Sequence, residues 1–172
     1  TGGGALIVDN TTNTGNTFNV GGSQVNKTTA DLSGLASMNV SLNTTGGTFL
    51  VSSTSGTNST GMASLILAGT TTVTANALTV GGGGAFNGNA DQLNTLKLGA
   101  TENTFNVNAL NIGTGSRDFG SITVNESTGT LKVRAADGVG AAAFNMGSGS
   151  STTAAVLASG VKNTFDVAGH DA

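Results

Sequence analysis

Phe105-Asn106-Val107-Asn108 and Leu110-Asn111-Ile112-Gly113 repeat one short pattern: apolar, any residue, apolar, then a small or polar closer. Side chains on a β-strand alternate between its two faces, so each unit sends two apolar groups one way and a polar one the other. That is the signature of a half-buried strand of four to six residues. Toward the N-terminus the pattern recurs at Leu96-Lys97-Leu98-Gly99, Leu78-Thr79-Val80-Gly81, Leu65-Ile66-Leu67-Ala68, Phe49-Leu50-Val51-Ser52, Met38-Asn39-Val40-Ser41 and Phe18-Asn19-Val20-Gly21. Toward the C-terminus it recurs at Ile122-Thr123-Val124-Asn125, Leu131-Lys132-Val133-Arg134, Phe144-Asn145-Met146-Gly147 and Phe165-Asp166-Val167-Ala168. A dozen short strands predict an all-β chain.

The connecting stretches support the same reading. Gly, Ser, Asn and Thr cluster at Thr54–Gly61, Gly81–Gly84 and Gly147–Ser151. Gly takes positive φ without steric cost and Asn tolerates it, so these are expected to be tight turns. Ala30–Ala36 and Thr152–Lys162 could hold a helical turn or two, but their Gly and Ser content opposes more.

The chain has 172 residues, enough for one domain or one segment of a longer repetitive protein. Val, Leu, Ile, Phe and Met together number 42, about a quarter of the chain, which is enough for a core. Charged residues make up 9%, against about 25% in an ordinary domain, so the polar surface must be built from Ser, Thr and Asn. Six Lys and Arg and a net charge of −3 leave no basic face, which argues against nucleic acid and against attraction to an anionic membrane. No apolar run approaches the ~20 residues of a membrane helix. Cys, Pro, Trp and Tyr are absent, so disulfides and thiolate metal sites are excluded.

One internal echo stands out. Asn16-Thr17-Phe18-Asn19-Val20 returns as Asn103-Thr104-Phe105-Asn106-Val107 and as Asn163-Thr164-Phe165-Asp166-Val167. The separations, 87 and 60 residues, lie near multiples of 20 to 22 or of 29 to 30. A solenoid coil of either length would stack the three Phe on one inner face. The expected fold is therefore a single β-solenoid over residues 1–172, of six to eight coils, with Phe18, Phe49, Phe105, Phe144 and Phe165 pointing inward. A two-sheet β-sandwich, as in a filament-forming subunit, is the alternative.

With these units and turns, the chain resembles the β-strand-repeat surface proteins of bacteria, meaning autotransporter passengers and filamentous-haemagglutinin-like adhesins. The resemblance covers most of the chain. It implies a right-handed parallel β-helix on a cell surface, with adhesion or scaffolding as its role, and it carries over no binding residues.

Chemistry-bearing side chains are sparse. The single His, His170, is expected to be solvated near the terminus, too isolated for a Ser-His-Asp site or a two-His metal site. The acids Asp9, Asp31, Asp91, Glu102, Asp118, Glu126, Asp137, Asp166 and Asp171 are scattered. Glycoside cleavage would need two of them about 5–10 Å apart. Gly81-Gly82-Gly83-Gly84-Ala85-Phe86 lacks the Asp of a calcium-binding repeat and the Lys of a phosphate loop. Asp9-Asn10 and Asp91-Gln92 read as turn residues before they read as weak calcium sites, and the Asn-x-Ser/Thr sequons at Asn10, Asn26, Asn39, Asn43, Asn58 and Asn125 follow from composition. Thr70-Thr71-Thr72-Val73-Thr74 has the Thr density of ice-binding solenoids without a fixed coil spacing.

The sequence thus predicts a non-catalytic, extracellular structural or adhesive element, with no catalytic, cofactor-binding or metal site. A glycan-binding adhesin module is the alternative, and a polysaccharide-degrading β-helix enzyme or an ice-binding protein stands further off. The expected partners are copies of itself, stacked end to end, or further coils of a longer chain, with surface glycans next.

Overall fold

The alternating units pair edge to edge, each with the unit one coil later. A computed structural model describes residues 3–21, 27–52, 62–82, 92–115, 118–126, 128–147 and 161–171. Three strands make one turn: β1 (Ala5–Asn10), β2 (Thr17–Val20) and β3 (Lys27–Asp31), then β4 (Ser37–Leu42), β5 (Thr48–Val51) and β6 (Met62–Ile66). In the next two turns the first two strands run together as one, giving β7 (Thr70–Val80) with β8 (Gln92–Leu98), then β9 (Glu102–Ile112) with β10 (Asp118–Val124). β11 (Thr130–Arg134), β12 (Ala143–Met146) and β13 (Thr164–Asp166) end the stack.

Every pairing between these strands is parallel. The architecture is a β-solenoid of about four turns, β1 to β10, closed by a further set of strands, β11 to β13. The sandwich alternative is excluded, because its sheets are antiparallel. The expected six to eight coils are also corrected: each turn takes up three alternating units, and so fewer turns exhaust the chain. Ala30–Ala36 holds no helix; its first residues belong to β3, and one bond from Leu35 N–H to the Leu32 carbonyl closes the turn. Thr152–Lys162 lies outside the described residues up to Gly160.

Parallel register stacks like on like. One inner column runs Val8, Val40, Val73, Phe105, Val133. A second runs Phe18, Phe49, Leu78, Leu110, Phe144, with the Phe18 and Phe49 rings stacked at 4.9 Å. A third runs Ala30, Leu65, Leu96, Ile122, Phe165. Phe49 and Phe105 are fully buried, and Phe18 and Phe165 pack half-buried against the core. Phe144 also belongs to an inner column, but as the last member of its stack it stays 51% exposed.

The echoed Asn-Thr-Phe therefore means something other than a coil period. Its three Phe occupy three different columns, on three different faces. What the echo shares is a corner. Asn103 takes the Gly99 N–H at 2.9 Å and donates to the Gly99 and Thr130 carbonyls. Asn163 takes the Gly120 N–H at 2.9 Å, and Asn16 donates to the Asn10 carbonyl. In each case an Asn ties down corner backbone two residues before a Phe enters the core.

Corners also explain how β7 and β9 bend. The in-out alternation slips by one residue at Asn76-Ala77 and at Asn108-Ala109, where two consecutive side chains face outward. Asn108 donates to Asn76 Oδ1 at 3.1 Å and to the Thr44 carbonyl at 3.0 Å, and its own Oδ1 takes the Ala136 N–H. At the corner leading into β1-type strands, a Cβ on Gly99 would lie 1.7 Å from the Ala68 carbonyl oxygen, so only Gly lets adjacent turns approach.

Position within the stack should set the energetics. Phe105→Ala, in the middle of a column, is expected to cost about 3–5 kcal/mol. Phe144→Ala, at the end of one, should cost about 1 kcal/mol or less, since exposed sites rarely matter more. Urea denaturation of the two variants checks this; equal losses would contradict the stacking order.

Candidate functional site

A straight solenoid offers three kinds of surface: flat outer faces, corner grooves, and ends. The first face is made by β1, β4, β7, β9 and β11. Its outward columns are Ala5, Ser37, Thr70, Glu102, Thr130; Ile7, Asn39, Thr72, Thr104, Lys132; and Asp9, Ser41, Thr74, Asn106, Arg134. Hydroxyl and amide groups thus repeat at the inter-strand spacing of about 4.8 Å along the axis. The Thr-rich stretch does align with its neighbours on adjacent turns, which its sequence spacing concealed. Charge enters at both ends of the grid, as Asp9 on β1 and, at the far end, where Lys132 Nζ meets Glu102 Oε1 at 3.0 Å. That contact, with the Thr104 hydroxyl, holds the Glu102 carboxyl below its usual range.

The corner between the third and first faces carries a shallow groove along the axis. Among the described residues it is lined by Ser33, Leu67, Gly69, Gly99, Ala100, Asn125 and Glu126. Small residues at the corner make this trough, because bulkier ones would fill it. Glu126 is its one carboxylate among the described residues.

The remaining acids are spread by the fold. Asp9 lies at the outer side of β1, and Asp91 falls outside the described residues. Asp31 and Asp137 each close their own turn: Asp31 accepts from the Ser33 hydroxyl and N–H, and Asp137 from the Gly140 and Val139 N–H groups. Both carboxyls are thereby held below the usual range. Among the described residues no three of His, Asp and Glu gather as metal ligands.

Two titratable groups are buried among the described residues. His170 is 9% exposed rather than solvated. Its Nε2 lies 3.1 Å from the Gly99 carbonyl, and Asp171 pairs with Thr130 as the start of a further rung on β11. Tail backbone bonds to Gly129 and Leu131 pull the imidazole inward. Asp118 is fully buried at the start of β10. It accepts hydrogen bonds from the Ser52 hydroxyl at 2.8 Å, the Gly82 N–H and the Asn94 amide. Asn94 is buried as well and takes the Ala63 N–H at 2.9 Å. This network knits consecutive turns together beside the second-to-third-face corner. It is a structural node: its donors converge on the carboxylate and leave it facing protein.

Asp118→Asn would set an amide N–H against one of those donors. The expected loss is about 2–3 kcal/mol, the cost of an unmatched buried hydrogen-bonding group, whereas Asp9→Asn on the surface should change stability by less than about 0.5 kcal/mol. Thermal melts of both variants decide; an Asp118→Asn protein as stable as the wild type would remove the node.

No family model, no curated protein and no solved structure matches the chain. Its fold and surfaces are what bear on its role.

Proposed function

We propose that the chain is a non-catalytic structural or adhesive element of an extracellular surface or fibre. The observation that carries this is the outer grid of the first face. Rows of Ser, Thr and Asn, few charges and a rigid parallel stack make a surface suited to broad, repetitive contact rather than to chemistry at one point. The resemblance to bacterial surface repeats, read from the same units, points the same way. Each turn adds an equal increment of length, and a solenoid is therefore an economical way to build a stalk or layer.

A second reading follows from the corner groove. Its backbone, Ser33, Asn125 and Glu126 offer donors and acceptors along a line, a shape suited to an extended neutral glycan. In that case the chain is an adhesive module and not a passive scaffold. Among the described residues no helix is long and apolar enough to cross a membrane.

Incubation with a panel of cell-wall and plant polysaccharides tests the proposal, with product release and bound glycan both measured. No turnover is expected. Retention of a neutral glycan, weakened at least about threefold by Asn125→Ala, would select the adhesive reading. Reproducible hydrolysis abolished by Glu126→Gln would overturn the non-catalytic one.

A further inference from the structure

His170 is the chain's one His, and Cys is absent. It is therefore the one side chain whose ordinary titration falls between about pH 5 and 8. The fold turns that group inward, at the corner that leads from β13 on the third face to Asp171 beside β11 on the first.

The two ring nitrogens have different surroundings. Nε2 lies 3.1 Å from the Gly99 carbonyl, which also takes the Asn103 amide at 2.9 Å. A carbonyl oxygen only accepts, so Nε2 carries a proton and donates it. Nδ1 is buried with no hydrogen-bond partner among the described residues. Gly129, at φ +117°, makes room for the ring: a Cβ there would lie 3.0 Å from Nε2 and 2.8 Å from the Ala100 carbonyl oxygen. The backbone around the ring is closed by three bonds of 2.9 Å each. His170 N–H donates to the Val167 carbonyl, Asp171 N–H to Gly129, and Leu131 N–H to Asp171.

We propose that His170 is a pH-sensitive pin for this corner: the neutral ring holds the Asp171 rung on β11, and the protonated ring loosens it. The neutral form, with its proton on Nε2, matches the site. A second proton has to sit on Nδ1, where it meets no acceptor among the described residues, and it puts a net charge into the interior. The surrounding charges are engaged elsewhere or turned outward. On the ring's own turn Asp166 accepts from the Ala168 N–H and Asp171 is exposed; on the β10–β11 corner Glu126 is exposed. On the Gly99 side Lys97 points outward between the buried Leu96 and Leu98, and Glu102 is held by Lys132 and the Thr104 hydroxyl. Arg134, further along β11, donates to the Gly138 carbonyl. Among the described residues none of these groups pairs with the imidazole. The sign follows: the rung is held at neutral and alkaline pH and is lost as the pH falls through the histidine range. Carboxylates ordinarily titrate near pH 4, below that window.

Native-state amide exchange read by NMR, with protection taken relative to intrinsic exchange at each pH, tests the pin at about pH 8 and about pH 5. Protection of the Leu131 and Asp171 amides should fall at least about fivefold at the lower pH, while that of β7 should not change. Ring nitrogen shifts at the higher pH should show the neutral Nε2–H tautomer. His170→Gln does not ionise and keeps an amide able to donate toward Gly99; it should abolish the pH response. His170→Ala should abolish it too, with weaker protection of the two amides at both pH values, and circular dichroism confirms that each variant is folded. An Nδ1–H tautomer, equal wild-type protection at both pH values, or a pH response that survives His170→Gln overturns the pin. None of these results touches the surface-element reading, which stands or falls on the polysaccharide panel.

Discussion

A β-strand cannot satisfy its own backbone. In this chain each turn finds its hydrogen-bond partners in the turns before and after it, always parallel and in register. Once that is imposed, side-chain choice is no longer free. A residue at a given phase of the coil meets the residue at the same phase one turn on, about 4.8 Å away. Apolar inner columns are favourable under that rule, and outward columns of Ser, Thr and Asn are tolerated because hydroxyls and amides can bond to one another. Columns of like charge are not tolerated. The charged content of 9% is thus a consequence of the stacking as much as a property of the surface.

Corners are where the rule is hardest to meet, because chain direction changes and backbone groups turn away from their ladder. Buried or half-buried amides fill the gap. Asn103 and Asn163 each seal a different corner, and Asn94 with Asp118 ties the turns together beside one of them. An amide serves because it presents a donor and an acceptor together, as the peptide group it replaces does. Close approach then needs Gly, as at Gly99.

The strands were legible in the sequence because alternation is a local signal, and residues such as Phe105 and Val107 declare their face within five positions. The solenoid followed from repetition. Register did not, because the chain between the second and third faces varies: ten residues separate Val51 from Met62, and five separate Ile112 from Asp118. The echoed Asn-Thr-Phe, 87 and 60 residues apart, thus falls on three faces while keeping its corner role. Asp118 was invisible for another reason. Nothing local marks Asp118-Phe119-Gly120 as buried; Ser52, Gly82 and Asn94 reach its carboxylate from three other segments. His170 was misplaced likewise, since its anchor is Gly99, 71 residues away. Neither the outer grid nor the corner groove has a local signature, because both arise between turns.

If the ladder between turns is the governing interaction, protection must follow position in the stack rather than strand length or hydrophobicity. Native-state amide hydrogen exchange under dilute conditions reads this directly. The slowest exchange is expected in β7 and β9, bonded on both sides, and the fastest among the strands in β1, β2, β3, β12 and β13, each bonded on one side among the described residues. Uniform protection along the chain, or slower exchange in the first turn than in β7 and β9, would contradict it.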